Sequence, residues 1–207
     1  MSTNASQLLI LFGQVGSGKS TQAKIISRLP GWTYLGTGEL LREAVKNQTA
    51  LGVKLEKILA AGLFASDEDM TNLVEGFLQR SLPAKIVLDG FPRTLPQAHA
   101  LHRYSTDRGG IPVTGVHLQV RDEICRNRLE RRGQIAISPR AEDRPEIIPT
   151  RLTEYQRLTE PILRWWRGTD WPLITLDGSL PEREVSAGVI KVITGLQVMQ
   201  NTQIRAW

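Results

Sequence analysis

The chain has 207 residues, 41% hydrophobic and 23% charged, enough to bury one sizeable core and too apolar for a disordered chain. Its 18 Gly and 11 Pro follow no period, which excludes collagen-like and low-complexity classes, and no apolar run nears the roughly 18 residues of a membrane span. A net charge of +5 suits phosphorylated small molecules, nucleic acid or anionic lipid equally and does not choose among them.

From the N-terminus, Gln7 to Phe12 is an apolar run of strand length stopped by Gly13, too short and without preceding basic residues for a signal peptide, so a soluble cytoplasmic protein is expected. Ser20 to Leu29 has helical spacing and ends at Pro30-Gly31, and Trp32 to Leu35 is a weak strand. Two helices follow, over Glu39 to Asn47 and Leu51 to Ala61, with Gly62 as stop signal. Asp67 to Arg80 reads as a helix capped by Ser66, its first turn acidic where the helix dipole favours acids. Lys85 to Leu88 is a strand ending at Asp89, Leu95 to Tyr104 a helix, Val113 to Val120 a strand and Arg121 to Arg132 a helix. Gly133 to Pro145 has no period and is expected to be a loop or flap. Pro149 to Arg167 is a long helix with Leu152, Tyr155, Leu158, Ile162 and Trp165 on its apolar side, and Pro161 should bend it. Leu173 to Leu176 is the fifth strand and Pro181 to Leu196 the closing helix.

Five short strands alternating with helices predict an α/β fold, a five-stranded parallel sheet with helices on both faces, since right-handed crossovers place helices on either side. Ligands of such sheets bind at the carboxyl ends of the strands. The single cysteine, Cys125, permits no intrachain disulfide, and with only His99, His102 and His117 there is no spaced Cys/His cluster for zinc.

One segment carries chemistry by itself. Gly13-Gln14-Val15-Gly16-Ser17-Gly18-Lys19-Ser20 fits G-x-x-x-x-G-K-[ST] between a predicted strand and a predicted helix. Glycines let the backbone wrap a phosphate so that N–H groups point inward at the helix N-terminus. Lys19 then reaches the β- and γ-phosphates, and Ser20 offers a hydroxyl near the magnesium ion. The chain has no Asn-Lys-x-Asp element for reading guanine, and it is smaller than most motor or transporter ATPases; a small kinase remains. Arginines crowd the stretch from 121 to 167. Such a run is often a solvated helix face, yet guanidinium groups are also the usual forked partners of phosphate. Asp89, after Ile86-Val87-Leu88, stands where a carboxylate holds hydrated magnesium or caps the next segment.

Further along, Asp89-Gly90-Phe91-Pro92-Arg93-Thr94-Leu95-Pro96-Gln97-Ala98 resembles the signature of the adenylate kinase family of nucleoside monophosphate kinases. The likeness continues in Gly16 to Lys19 with Thr21-Gln22, in Thr37-Gly38-Glu39-Leu40-Leu41-Arg42, in Arg128 to Gly133, in Arg140 to Asp143 with Arg151-Leu152, and in Thr159-Glu160-Pro161 and Asp177-Gly178. It implies a core with two lobes, one near 37–66 closing over AMP and a short lid near 129–145 closing over ATP, the lid without cysteines and so without zinc. By that resemblance Gly13, Gly16, Ser17, Gly18, Lys19, Ser20, Thr21, Arg128 and Arg132 serve ATP. Thr37, Gly38, Arg42, Gly62, Gly90, Arg93 and Gln97 serve AMP, and Arg140 and Arg151 lie between the phosphate chains. Lys19, Arg93, Arg132, Arg140 and Arg151 would be the catalytic cations, with Mg²⁺ held by Ser20 and, through water, Asp89.

The reaction so implied is reversible phosphoryl transfer from ATP to AMP giving two ADP, by a monomer with no nucleic-acid or membrane partner. Thr37 and Gln97 favour adenine, since UMP/CMP-type relatives tend to carry Ala and Asn there. Another acceptor base or a low-turnover nucleotide sensor are the alternatives, and the intact cations speak against the sensor. Val15, Ser20, Glu39 and the Leu63 to Ser66 segment depart from the family pattern, where proline, glycine, aspartate and a Leu-Val-Pro-like run are usual.

Overall fold

Gln7–Phe12 (β1) is buried at every position and lies at the centre of the sheet, because a strand covered on both faces has no place for a polar side. The computed structural model describes residues 6–60, 65–135 and 144–204. Lys85–Asp89 (β3) and Val113–Gln119 (β4) flank β1, and Trp32–Gly36 (β2) and Leu173–Asp177 (β5) form the edges, in the order β2-β3-β1-β4-β5. All four pairings are parallel, as the alternation of elements predicts. The chain leaves β1 toward β2 on one side and later enters β4 on the other, so the order reverses at β1, and a crevice opens above the carboxyl ends of β1 and β3.

The period of two divides the sheet's side chains between two cores. Leu8, Ile10, Phe12, Ile86 and Leu88 pack against Asp67–Ser81 (α4), Leu95–Thr106 (α5) and Ile148–Trp166 (α7). Leu9, Leu11, Val87 and Val116 face Lys19–Ile26 (α1) and Glu182–Ile204 (α8). Trp166 is fully buried and meets Phe12 edge to face, ring centroids 5.0 Å apart, an arrangement worth roughly 0.5–1.5 kcal/mol beyond its area. Thr37–Lys46 (α2) and Ala50–Ala60 (α3) stand beside the crevice and reach the first core through Leu41 and Leu55. Asp122–Ile135 (α6) joins α7 through a smaller cluster of Cys125, Leu129, Ile148 and Leu152.

Several boundaries differ from the sequence expectation, each for a local reason. Helix α1 ends at Ile26 because Arg28 and Leu29 donate to carbonyls three residues back, tightening the chain into a turn. Helix α2 begins two residues early, at Thr37, whose hydroxyl is held by the backbone after β3. Helix α6 runs through Gly133 to Ile135, since one interior glycine costs only about 1 kcal/mol; the rest of the expected flap, 136–143, lies outside the described residues. Helix α8 continues past Leu196 to Ile204. Pro161 sits on the exposed side of a continuous α7. The buried stripe of α7 is Ile148, Leu152, Thr159, Ile162, Leu163 and Trp166, so Leu158 and Trp165 are only partly covered and a polar Thr159 takes a core position. Ser66 caps α4 as expected, its Oγ accepting from Asp69 N at 3.2 Å, a device worth about 1 kcal/mol. No described helix is long and apolar enough to cross a membrane.

Candidate active site

The loop from β1 to α1 is shaped by glycines at positive φ: Gly13 at 141°, Gly16 at 83° and Gly18 at 97°. At Gly16 the constraint is double. A side chain would be strained at that φ, and its Cβ would stand 2.6 Å from the Cys125 carbonyl oxygen. Cys125 itself is fully buried, and burial pushes its thiol up. Gln14 bolts the loop to the sheet, its Nε2 donating to Val120 O at 2.8 Å. Lys19 Nζ donates to Gln14 O at 2.8 Å, so the ammonium is already folded back over the loop that would cradle a phosphate. Burial lowers its pKa to about 8, opposed by the Asp89 carboxylate and reinforced by Arg93 and Arg151.

Asp89, the last residue of β3 and only 7% exposed, faces this loop. Ser20 Oγ donates to its Oδ2 at 2.5 Å. A hydroxyl and a carboxylate side by side are hard oxygen donors, the kind magnesium takes while keeping several waters. The donor set therefore fits the expected ion, with Ser20 and Asp89 as the residues that would hold it.

Above them opens a cleft of about 390 Å³. Gly16, Ser17, Gly18, Lys19, Ser20, Thr21, Gly38, Arg42, Asp89, Arg93, Arg128, Arg132 and Arg151 all line it. These come from the loop after β1, α2, the end of β3, α6 and α7, which the topology brings to one end of the sheet. Gly13 and Gly90 border a smaller recess beneath, shared with Lys19, Arg93, Tyr155 and Thr159. Arg128 spans the cleft's far side, donating to Gly178 O at 3.0 Å and Ser179 O at 3.4 Å.

Two expected AMP-site residues occupy different surroundings. Thr37 is buried, its hydroxyl shared between Asp89 O at 3.2 Å and Gly90 O at 3.0 Å. Gln97 is also buried; its Oε1 accepts from Arg93 N at 2.8 Å and its Nε2 donates to Asp67 Oδ1 at 2.9 Å. Both therefore brace the segment carrying Arg93 and stand behind the cleft wall. Arg140 and Gly62 lie outside the described residues, as do Leu63 and Phe64 of the departing segment.

Other participants are not among the expected site residues. Asp67 also accepts from Thr94 Oγ1 at 2.5 Å, and Thr159 Oγ1 donates to Arg93 O at 3.3 Å. Tyr34 and Glu39 line the cleft, Glu39 paired with Lys24 of α1 at 2.5 Å. Thr159 belongs to the Thr159-Glu160-Pro161 stretch of the resemblance, and a polar residue at a core position of a helical stripe is a second sequence signal. Asp67, in a helix's first turn, reads as dipole compensation alone.

Comparison with known proteins decides what this arrangement belongs to. The sequence model of adenylate kinase matches residues 11–170. The chain is 37% identical over 190 residues to an adenylate kinase of Cyanothece sp., covering 91% of this chain and 96% of that one. It is 36% identical over 193 residues to one from Nitrobacter hamburgensis (89% and 91% covered) and 33% identical over 190 residues to one from Brucella ovis (89% and 97%).

The chain belongs to the adenylate kinase family. Its reaction is reversible phosphoryl transfer from ATP to AMP, giving two ADP. Adenylate kinases use ATP with magnesium in general.

Proposed function

We propose that the cleft carries out this transfer with Lys19, Arg93, Arg132 and Arg151 as its described cations and Arg140 joining them from the lid. The observation that supports this is their convergence: four separate chain segments deliver cations to one opening beside the Ser20–Asp89 pair. Moving a phosphoryl group between two nucleotides brings several negative charges together, so positioning and neutralisation carry the catalysis and no general base is needed. Ser20 and, through water, Asp89 would hold magnesium, which would supply neutralisation of part of the donor phosphates' charge.

The chain's own groups then divide the work. The loop of Gly13, Gly16, Ser17 and Gly18, with Thr21, turns backbone N–H groups toward the donor phosphates, and Lys19 leaves Gln14 O to meet them. Arg128 and Arg132 serve the ATP side. Gly38, Arg42, Gly62, Gly90 and Arg93 serve AMP, with Thr37 and Gln97 setting the wall against which adenine is read. Segments 37–66 and 129–145 are the closing lobes, and their closure keeps water from accepting the phosphoryl group. In this reading the working unit is a monomer.

The test is a coupled assay with ATP as donor and AMP, CMP, UMP or GMP as acceptor. AMP is expected to have the highest kcat/KM. An equal or higher value for UMP or CMP would overturn the acceptor assignment.

A further inference from the structure

In the amino-acid sequence, Tyr34 and Gly36 look like unrelated residues of an edge strand. The structure couples them. Residues two apart on a strand share a face, and the register sets Tyr34 beside Val87 and Gly36 beside Asp89. Gly36 has φ −102° and ψ 100°, ordinary extended backbone that any residue adopts, so its conformation does not call for glycine. Space does. A Cβ at position 36 would overlap the Tyr34 hydroxyl and Cζ. The tyrosine ring leans along β2 into the volume that a side chain at 36 would fill, and its hydroxyl arrives 3.5 Å from Asp89 Oδ2.

Two hydroxyls therefore approach the same carboxylate oxygen. Ser20 makes a short bond to it, and Tyr34 stands at the outer limit of one. A tyrosine hydroxyl is a donor that can serve such an approach. Among the described residues no hydrogen bond goes to the other oxygen, Oδ1.

We propose that Tyr34, admitted by Gly36, is a positioning residue for the metal-binding carboxylate: with Ser20 it holds Asp89 by Oδ2 and presents Oδ1 to the hydrated cation. Tyr34 thereby takes the space of a side chain at position 36. The proposal rests on the reading of Ser20 and Asp89 as the magnesium site, and it goes beyond that reading in assigning a role to two residues that the P-loop and the DGFPR segment do not contain.

Calorimetry of ATP binding to the whole protein, in excess Mg²⁺ and again in EDTA, tests it. The ratio of the two dissociation constants measures how much the metal site adds. Tyr34→Phe is expected to reduce the metal-linked gain at least three-fold while ATP affinity in EDTA stays within two-fold. Gly36→Ala, which displaces the tyrosine, should do the same, and the double variant should do no worse than either single one. In the kinase assay Tyr34→Phe should raise the Mg²⁺ concentration for half-maximal rate by a similar factor. An unchanged ratio in Tyr34→Phe, with a clear metal gain in the wild type, overturns the proposal alone. Equal weakening with and without metal, or additive effects in the double variant, shows simple packing and also overturns it. A wild type that gains nothing from Mg²⁺ overturns the metal-site reading and this proposal with it.

Discussion

The two sides of the cleft are held by different physics. The phosphate loop is fastened from within: glycines fix its backbone, Gln14 bonds across to Val120 O, and the fully buried Cys125 lies beneath Gly16. The α2–α3 lobe instead meets the core through a few apolar anchors, Leu41 and Leu55, and through polar straps. Among the described residues those straps include the Thr37 hydroxyl on the backbone at the end of β3 and the surface ion pairs of Lys24 with Glu39 and Lys54 with Asp69. A surface that must receive the donor phosphates in one geometry gains from rigidity, because preorganised dipoles need no rearrangement during the reaction. The closure proposed for this lobe requires that no large buried interface tie it down, and exposed ion pairs, each worth roughly 0–1 kcal/mol, are suited to it.

The strongest way to break this contrast is at the loop's cation. Lys19→Met is expected to lower kcat by about a thousand-fold, roughly 4 kcal/mol of barrier, with an unchanged far-UV circular dichroism spectrum. Activity within a few-fold of wild type would show that the rigid side is not where the donor phosphates sit. Next come Arg132 and Arg151, which line the cleft from α6 and α7, and Arg140, which the resemblance assigns to the lid. Arg151→Lys, and likewise Arg132→Lys and Arg140→Lys, keeps the charge but loses the planar fork. Each should cut kcat about ten- to a hundred-fold, about 1.4–2.7 kcal/mol, with smaller changes in the dissociation constants of ATP and AMP. An unchanged kcat with weakened binding would make them uniform binding groups.

Stability measurements sharpen the same comparison. Gly16→Ala combines a positive φ with a clash against the Cys125 carbonyl, and urea unfolding should register a loss of about 1–3 kcal/mol. The phosphate-loop side also holds His117, opposite Phe12 in the sheet. Burial, with Arg167 and Lys19 nearby, lowers its pKa from 6.5 to about 4. The unfolded chain thus takes up this proton near pH 6.5 and the folded one only near 4, so stability is lost as pH falls through that window. Because the ring is partly exposed, the loss is about 1–2 kcal/mol. Denaturation midpoints of His117→Gln should decline less between pH 7 and pH 4.5 than those of wild type. The smallest effect belongs to the lobe: Lys54→Ala should shift unfolding by less than about 1 kcal/mol, and a loss as large as that of Gly16→Ala would contradict the picture of a lightly strapped lobe.

Much of this molecule was legible before folding was considered. The apolar runs, the glycine loop before a basic residue and the acidic first turn after Ser66 are local patterns, and local patterns report the period of a helix or strand and the demands of a turn. They located all five strands, the helices and the phosphate loop. The resemblance then named the cleft's cations, and Arg42, Arg93, Arg128, Arg132 and Arg151 do share one opening. Boundaries slipped where a tertiary contact outweighed a local signal, as at Thr37, or where a weak breaker was overridden, as at Gly133.

By itself, then, the amino-acid sequence determined the alternation of strands and helices, the anion-binding loop and the placing of Asp89 at a strand end, all consequences of near-neighbour chemistry. Only the tertiary structure decided that Gln97 would brace Arg93 and Asp67 from behind the wall. It also decided that Thr159 would hold Arg93 from α7 and that Tyr34 would reach Asp89 over a glycine. Except for the Gln97–Arg93 bond, which spans four residues, those contacts join residues 30 or more apart in the chain, and they depend on sheet register and helix packing, which no short window of sequence contains.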